Sequence, residues 1–383
     1  MKKKDFNYEK ETDDLSAATD SPAKPPDVKS HAPEPNDFNL RRLIIEETGI
    51  ESYNYLKKYV PFNGTTFVLS VKNPLNIKAL PPGNLHTIVN LHRVNDHRRM
   101  NLFFETVNQK LPDGGLFAGC GKTQEIRKKR FLRKYTPLAG FLLYTIDFLI
   151  HRVMPKLGPT KGLYFQCTDG NNRRMFRAEI LGRLFSCGFE LIDESYVNGR
   201  LFFVARKVRH PFFDNSPTYG PLIRLRRIGK DGKIIGVHKL RTMHPYAEYI
   251  QKYVIEKQGV STKDLKIKDD FRISSWGKIF RKLWIDELPM IYNLLKGDLK
   301  IVGVRPVSEQ NFNTYPEYLQ EKRIKFKPGL IPPMYADMCN SQEAFYESEN
   351  RYIEAYEKHP LRTDWIYFWK AFYNIVFRRA RSA

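Results

Sequence analysis

Cysteine is scarce in this chain. The four present, Cys120, Cys167, Cys187 and Cys339, form no Cys-x-x-Cys pair and no ligand spacing with histidine. That excludes a disulfide framework and a structural zinc site, and it fits a reducing, cytoplasmic setting. Long apolar runs are lacking as well. No stretch of ~18 uncharged apolar residues occurs, which excludes a multi-span membrane protein. No secretory signal is expected, because Lys2, Lys3 and Lys4 lead into the polar run Asp5 to Glu11 where an apolar core would belong. Acidic residues fall short of basic ones, 42 against 64, which leaves a net charge of +22. A surplus of that size implies an anionic partner: nucleic acid, an anionic membrane surface or a phosphorylated substrate.

What is present is a chain of 383 residues, 42% hydrophobic and 13% aromatic. That is enough for two folded units with cores of their own, or one unit and a tail. Residues 1–38 are rich in Lys, Asp, Ser and Pro and offer little to bury, so they read as a disordered tail. An α/β domain is expected over 39–207. Thr65 to Ser70, Leu85 to Leu91 and Leu116 to Ala118 read as strands, and Met100, Phe103, Phe104 and Val107 mark a helix. Further on, Glu179 to Cys187 reads as a helix ended by Gly188, and Asn198-Gly199 is a hairpin signal. The segments Lys110 to Leu116 and Cys187 to Glu190 resemble the C-terminal half of a class I methyltransferase-like Rossmann domain. No Gly-rich loop follows the first strand, and Gly119 to Thr123 comes too late and lacks the upstream glycine of a P-loop. A structural or regulatory role is expected for this domain.

The most apolar segment is 137–150. Basic residues crowd both ends, Arg127 to Lys134 before it and His151, Arg152 and Lys156 after it. Fourteen helical residues reach only ~21 Å, short of a ~30 Å hydrocarbon core. The reading is a membrane-associating helix that enters one leaflet or lies at the interface. A buried core helix with solvated flanks is the alternative. The aromatic stretch Trp365 to Phe377, followed by Arg378, Arg379 and Arg381, is a second interfacial-helix candidate or a core helix with a basic tip.

The chemistry concentrates in 208–383. Asp231-Gly232 lies between two apolar runs and predicts a hairpin bearing Arg227, Lys239 and Arg241. A solvated basic face is the plainer reading of those cations. Pro289 is tolerated only in a first helical turn, so Asp286 and Glu287 are placed at the opening of a helix that runs from Pro289 to Lys296. Two adjacent carboxylates raise one another's pKa unless a cation such as Arg281 or Lys282, or a divalent metal, intervenes. Ordinary capping acids are the alternative. Further on, Val302-Gly303-Val304-Arg305-Pro306 reads as a buried strand ending in a turn that presents the Arg305 fork rigidly, which suits phosphate.

Taken in order, Ser216-Pro217, Arg227-x-Gly229-x-x-Gly232-Lys233, Lys239-x-Arg241-Thr242-Met243, Asp270-x-Arg272-Ile273, Asp286-Glu287-Leu288-Pro289, Asn293-x-Leu295-x-Gly297-Asp298, Val302-Gly303-x-Arg305-Pro306 and Lys327-Pro328-Gly329 resemble the bacterial sugar transferase family. These are the monotopic phosphoglycosyl transferases, such as undecaprenyl-phosphate galactose phosphotransferase. The resemblance covers about Ser216 to Gly329, and it implies a mixed α/β, membrane-associated catalytic domain. It also implies transfer of a phosphosugar from a UDP-sugar to polyprenyl phosphate, release of UMP, and Mg2+ as cofactor. The setting implied is the cytoplasmic face of the bacterial inner membrane, at the start of exopolysaccharide or lipopolysaccharide synthesis. Carried over, Asp286 would be the nucleophile, Glu287 the metal ligand, and Arg305, with Lys239, Arg241 and Arg227, the phosphate clamp. No nucleic acid partner is expected, since the basic residues belong to phosphate motifs and membrane flanks.

The chain departs from the family pattern in four places. A polar stretch precedes Ser216 where the family carries a re-entrant membrane hairpin. Leu225 replaces a Gln, Val304 replaces a Pro, and Leu330 to Tyr335 replaces the run Ile-Thr-Gly-x-x-Gln-Val. A catalytically inactive membrane scaffold that keeps the fold is the alternative these departures leave open.

Overall fold

The computed structural model describes residues 35–80, 85–212, 220–259, 267, 270–339 and 341–378. The expected tail lies outside them up to residue 34, and its last four positions already belong to a helix, α1 (Pro35–Thr48). There follow α2 (Ile50–Leu56), β1 (Thr66–Leu69), α3 (Pro74–Lys78), β2 (Thr87–Arg93), α4 (Met100–Lys110), β3 (Leu116–Gly121), α5 (Gln124–Lys134), α6 (Pro137–Phe148), α7 (Gly158–Thr168), α8 (Arg177–Ser186), β4 (Phe189–Val197) and β5 (Arg200–Lys207).

These strands make one sheet in the order β1-β2-β3-β5-β4. β1, β2 and β3 are parallel, with Thr66 opposite Thr87 and Thr87 opposite Leu116. β5 lies antiparallel between β3 and β4. The hairpin signal at Asn198-Gly199 forms as read, with φ of +49° and +67° at the two turn residues. Both faces of the sheet are covered, so neighbouring side chains enter different cores. Ile88, Phe117 and Phe203 pack with Phe103, Phe104 and Leu184 of α4 and α8. Val89, Ala118 and Phe202 pack with Ile44, Tyr53 and Leu56 of α1 and α2. Gly119 is required by packing: a Cβ there would lie 2.7 Å from the Phe203 ring.

The apolar segment is longer as a helix than its composition predicts. Beyond α6 the chain stays helical through a π turn (Leu149–Val153) and a 3-10 turn (Met154–Lys156). Among the described residues it is the one helical path, 20 residues from Pro137 to Lys156, long and apolar enough to cross a membrane by length and composition. Of α6 only Gly140 and Asp147 are buried, which excludes the core-helix alternative.

The second region has smaller sheets. β6 (Leu222–Ile228) and β7 (Ile234–Leu240) form the hairpin read at Asp231-Gly232, with φ of +56° and +70° at those residues. After them come α9 (Gln251–Gln258), α10 (Ser275–Lys282), α11 (Met290–Leu295), β8 (Lys300–Val302), α12 (Glu309–Phe312), α13 (Glu317–Ile324), β9 (Gly329–Ile331), α14 (Met334–Asp337), α15 (Gln342–Lys358) and α16 (Pro360–Val376). β8 and β9 pair in parallel. The molecule is thus mixed α/β with mixed sheets.

The two regions share a core. Ile250, Tyr253 and Val254, beyond the hairpin, are buried with α4 and α8 of the first region. Gly182 of α8 admits the Tyr246 carbonyl, which a Cβ would meet at 2.2 Å. Arg183 lies 4.5 Å from the Tyr246 ring centroid, and Phe176 stacks on His244 at 3.9 Å. The segment that follows the hairpin therefore rests on the first region.

Candidate active site

The hairpin supplies two of the cations, Arg227 on β6 and Lys239 on β7. Strand alternation would put Arg241 on the same face as Lys239. The strand ends at Leu240, however, and the next N–H donates to the Pro221 carbonyl at 2.6 Å. The Arg241 guanidinium turns away from the cleft and donates through Nε to the Gly220 carbonyl at 3.0 Å. Its acidic neighbours are Glu248 and Glu179, at the junction with the first region. Of the six residues read as the site, Arg227, Lys239, Glu287 and Arg305 line the cleft, while Arg241 and Asp286 do not.

The carboxylates sit on a turn built from both sides. α10 is capped by Ser274, whose Oγ accepts from the Gly277 N–H at 2.9 Å. Gly277 is needed because a Cβ would lie 2.0 Å from the Thr242 carbonyl. Arg281 donates through Nε to Thr242 Oγ1 at 3.0 Å, which ties the end of α10 to the hairpin's exit. Trp284 then takes a left-handed φ of +61°. Such a conformation costs a bulky residue on the order of 1–3 kcal/mol. Its ring is held against Tyr335 of α14, centroids 4.6 Å apart. The next residues, Ile285–Glu287, form a 3-10 turn, and α11 begins only at Met290. The pair thus precedes the helix on a turn of its own. The expected helix start at Pro289 is one residue early because that proline is the cap.

Asn293 fixes this turn to the hairpin. It is fully buried, accepts from the His238 N–H at 2.9 Å and donates to the Gly236 carbonyl at 2.7 Å. Arg305 is fixed by a different device. Gly303 and Gly329 bring β8 and β9 so close that a Cβ on Gly329 would lie 2.1 Å from the Gly303 nitrogen. The Arg305 N–H donates to Glu349 of α15 at 2.9 Å, and its carbonyl accepts from Arg323. Its backbone is held at both ends, so the side chain is presented by a rigid turn.

The result is a cleft of about 60 Å3 lined by Arg227, Lys239, Glu287 and Arg305, with Met290, Leu330, Pro332 and Tyr335 among its apolar walls. Lys239 Nζ donates to Glu287 Oε1 at 2.7 Å. Asp286, next along the turn, is buried, and its Oδ1 accepts no hydrogen bond among the described residues. Burial and the adjacent Glu287 push the Asp286 carboxyl above its ordinary range, while Lys239 and Arg281 pull it back. Burial and the facing Arg305 weaken the Arg227 guanidinium's hold on its proton. Three cations converging on a concave site are arranged for a multiply charged anion. Two adjacent carboxylates, one with an unpartnered oxygen, suit a hard divalent cation that completes its shell with substrate phosphates. Among the described residues no cluster of three or more His, Cys, Asp or Glu forms a closed metal cage.

Several contributors escaped the sequence reading. Leu330, Pro332 and Tyr335 lie in the run that departs from the family pattern, immediately after Lys327-Pro328-Gly329. Their position next to a recognised motif was the available signal. Glu349 carried another: it shares the buried face of α15 with Tyr352 and Ile353, where a carboxylate needs a partner. The Ser216-Pro217 motif lies outside the described residues.

The second region resembles known proteins. Residues 214–378, somewhat under half of the chain, match the family model described as bacterial sugar transferase. Galactosyl transferase CpsE of Streptococcus agalactiae serotype III (strain NEM316) is 40% identical over 112 residues, which are 29% of this chain and 25% of that protein. Undecaprenyl-phosphate galactose phosphotransferase of Salmonella typhimurium (strain LT2) is 32% identical over 109 residues, 27% of this chain and 23% of that one. UDP-glucose:undecaprenyl-phosphate glucose-1-phosphate transferase of Klebsiella pneumoniae is 35% identical over 122 residues, 30% and 23% of the two chains. The chain thus spans about a quarter of the length of these relatives. Among solved structures, an O-methyltransferase family 2 protein from Planctomyces limnophilus DSM 3776 aligns with a TM-score of 0.23 at 15% identity, over 42% of this chain and 47% of that one. A likeness that weak carries no argument about the fold.

Proposed function

We propose that the protein is a phosphoglycosyl transferase that moves a phosphosugar from a UDP-sugar to polyprenyl phosphate and releases UMP. The observation that carries this reading is the convergence of Arg227, Lys239 and Arg305 on a cleft that Glu287 also lines, with Asp286 beside Glu287 on the same 3-10 turn. The names of the relatives, which act on UDP-glucose or undecaprenyl phosphate, supply the substrate class.

The chemistry follows from the groups present. An oxygen of the Asp286 carboxylate attacks the β-phosphorus of the UDP-sugar. One phosphorus–oxygen bond forms, the bond to the UMP oxygen breaks, and the phosphosugar is held as an acyl phosphate. An oxygen of polyprenyl phosphate then attacks the same phosphorus, forming the diphosphate and restoring the carboxylate. Arg227 and Arg305 hold the diphosphate oxygens and offset charge that builds on the leaving UMP. Lys239 exchanges Glu287 for a substrate phosphate as the site fills. Glu287, so released, and the unpartnered oxygen beside it are the groups that would hold magnesium, which neutralises diphosphate charge when bound.

In this reading the first region is a partial Rossmann-like sheet, methyltransferase-like in its terminal antiparallel strand, that has become a scaffold. The acceptor is a lipid, so the reaction belongs to the cytoplasmic face of the inner membrane, as an opening step of surface-glycan synthesis.

The test is a panel of UDP-sugars with polyprenyl phosphate and Mg2+, read by UMP release and by the intact mass of the protein. The expected result is UMP with one or a few sugars, and a mass increment of one phosphosugar when the acceptor is omitted. Absence of both across the panel would replace this reading with the inactive scaffold.

A further inference from the structure

We propose that the helical segment 137–156 docks flat on an anionic phospholipid bilayer, held to the protein by a buried ionic seam along its other side. The exposed side is apolar and periodic. Leu138 is 81% exposed, Phe141 and Leu142 59% each, and Leu149 50%, with Ile146 between them. Steps of three and four residues place these on one helix face.

The opposite side is tied into the fold. Gly140 sits against the Phe131 carbonyl of α5. Asp147, 8% exposed, pairs with Arg127 at 3.0 Å and with Arg174 at 3.1 Å. One turn further, Arg152 pairs with Glu179 of α8 and donates to the Arg174 carbonyl at 3.0 Å. Glu179 is itself fully buried and also held by Arg183.

This seam decides between the two orientations that length alone permits. To span the bilayer, the segment would have to leave α5 and α8, which would strand Glu179 and its arginines and carry Asp147 and Arg152 into hydrocarbon. Each such unpairing costs several kcal/mol. Lying flat breaks none of these pairs and still buries the apolar face, to a depth of about 5–10 Å.

The occupant's charge follows from the preceding helix. Lys128, Lys129, Arg130, Arg133 and Lys134 of α5 are all exposed, immediately before the apolar face begins. Exposed cations beside an apolar stripe fit anionic headgroups over acyl chains. The inference locates the membrane contact on the first region, outside the matched residues 214–378, and it stands or falls separately from the catalytic reading.

The test is flotation of the full chain with vesicles of phosphatidylglycerol and phosphatidylethanolamine, and with pure phosphatidylcholine. Strong flotation with the first and weak flotation with the second is expected. The double variant Phe141→Glu/Leu142→Glu should lose at least about tenfold in partitioning at unchanged circular dichroism, because both side chains are exposed. Single cysteines Thr136→Cys and Lys161→Cys, in a Cys167→Ser/Cys339→Ser background, should both react with an impermeant maleimide added outside sealed vesicles. Protection of one end only, flotation of the Glu variant equal to wild type, or equal binding to both lipid mixtures would overturn the proposal.

Discussion

Buried charge is matched across the sheet region and around the Asp270–Arg272 and Glu349–Arg323 pairs of the second region, but not at the cleft. In the sheet region each buried carboxylate has its cation: Glu179 has Arg152 and Arg183, Asp147 has Arg127 and Arg174, and Asp96 has Arg93. In the transferase region the cleft gathers Arg227, Lys239 and Arg305 around one paired carboxylate, while the neighbouring Asp286 keeps an oxygen without a partner. Matched charge fixes a structure. Unmatched charge on a rigid frame is poised for something not yet bound. The same residue types thus serve as scaffold where they are paired and are left available where they line the cleft.

The largest effect expected tests the unmatched side. Asp286→Asn should abolish the phosphosugar adduct and lower UMP release by about a thousandfold or more. Its carboxyl titrates above the ordinary Asp range, so the ionised form costs stability at neutral pH. Thermal unfolding of the variant should therefore match or slightly exceed wild type. A loss of stability equal to the loss of activity would mean that the residue is structural.

The matched side should answer the other way. Glu179→Ala leaves Arg152 and Arg183 buried without their counter-charge and should cost about 3–5 kcal/mol in urea unfolding. Arginine and lysine neighbours hold the Glu179 carboxyl well below the ordinary range. Its contribution should be complete above about pH 4.3, the unfolded value, and should fade as pH falls through the lower folded value. A pH-independent difference between variant and wild type would contradict that assignment.

Gly329→Ala joins the two tests, since its Cβ would collide with the Gly303 backbone. A cost of about 1–3 kcal/mol is expected, with a raised KM for the UDP-sugar as the Arg305 turn shifts. Unchanged KM would separate that turn from substrate binding. The smallest effect is the finest probe of the cleft. Lys239→Met removes a cation that favours ionised Asp286, so the acid limb of adduct formation should move to higher pH. A shift to lower pH would place Lys239 elsewhere in the electrostatics.

Much of the fold was legible locally. Asn198-Gly199 and Asp231-Gly232 specify their hairpins because those residues reach positive φ at little cost. The strands of the first sheet announced themselves as short apolar runs because both faces are buried. Less legible was the end of β7 at Leu240, which sends Arg241 away from the cleft although its spacing from Lys239 argues for the same side. Strand parity holds only while the strand lasts. The length of the helix beyond residue 150 was hidden for a related reason: His151, Arg152 and Lys156 end the apolar composition but not the helix, because Arg152 finds Glu179 within the fold.

By itself the sequence determined the motif order, the hairpins, the surplus of positive charge and the pair of adjacent acids, all of which are properties of neighbours along the chain. Only the tertiary structure decided which cations meet that pair, which glycines are forced by close approach, and which side of the apolar helix is left bare. Those depend on groups tens to hundreds of residues apart, and no local pattern encodes which partner will satisfy a buried charge.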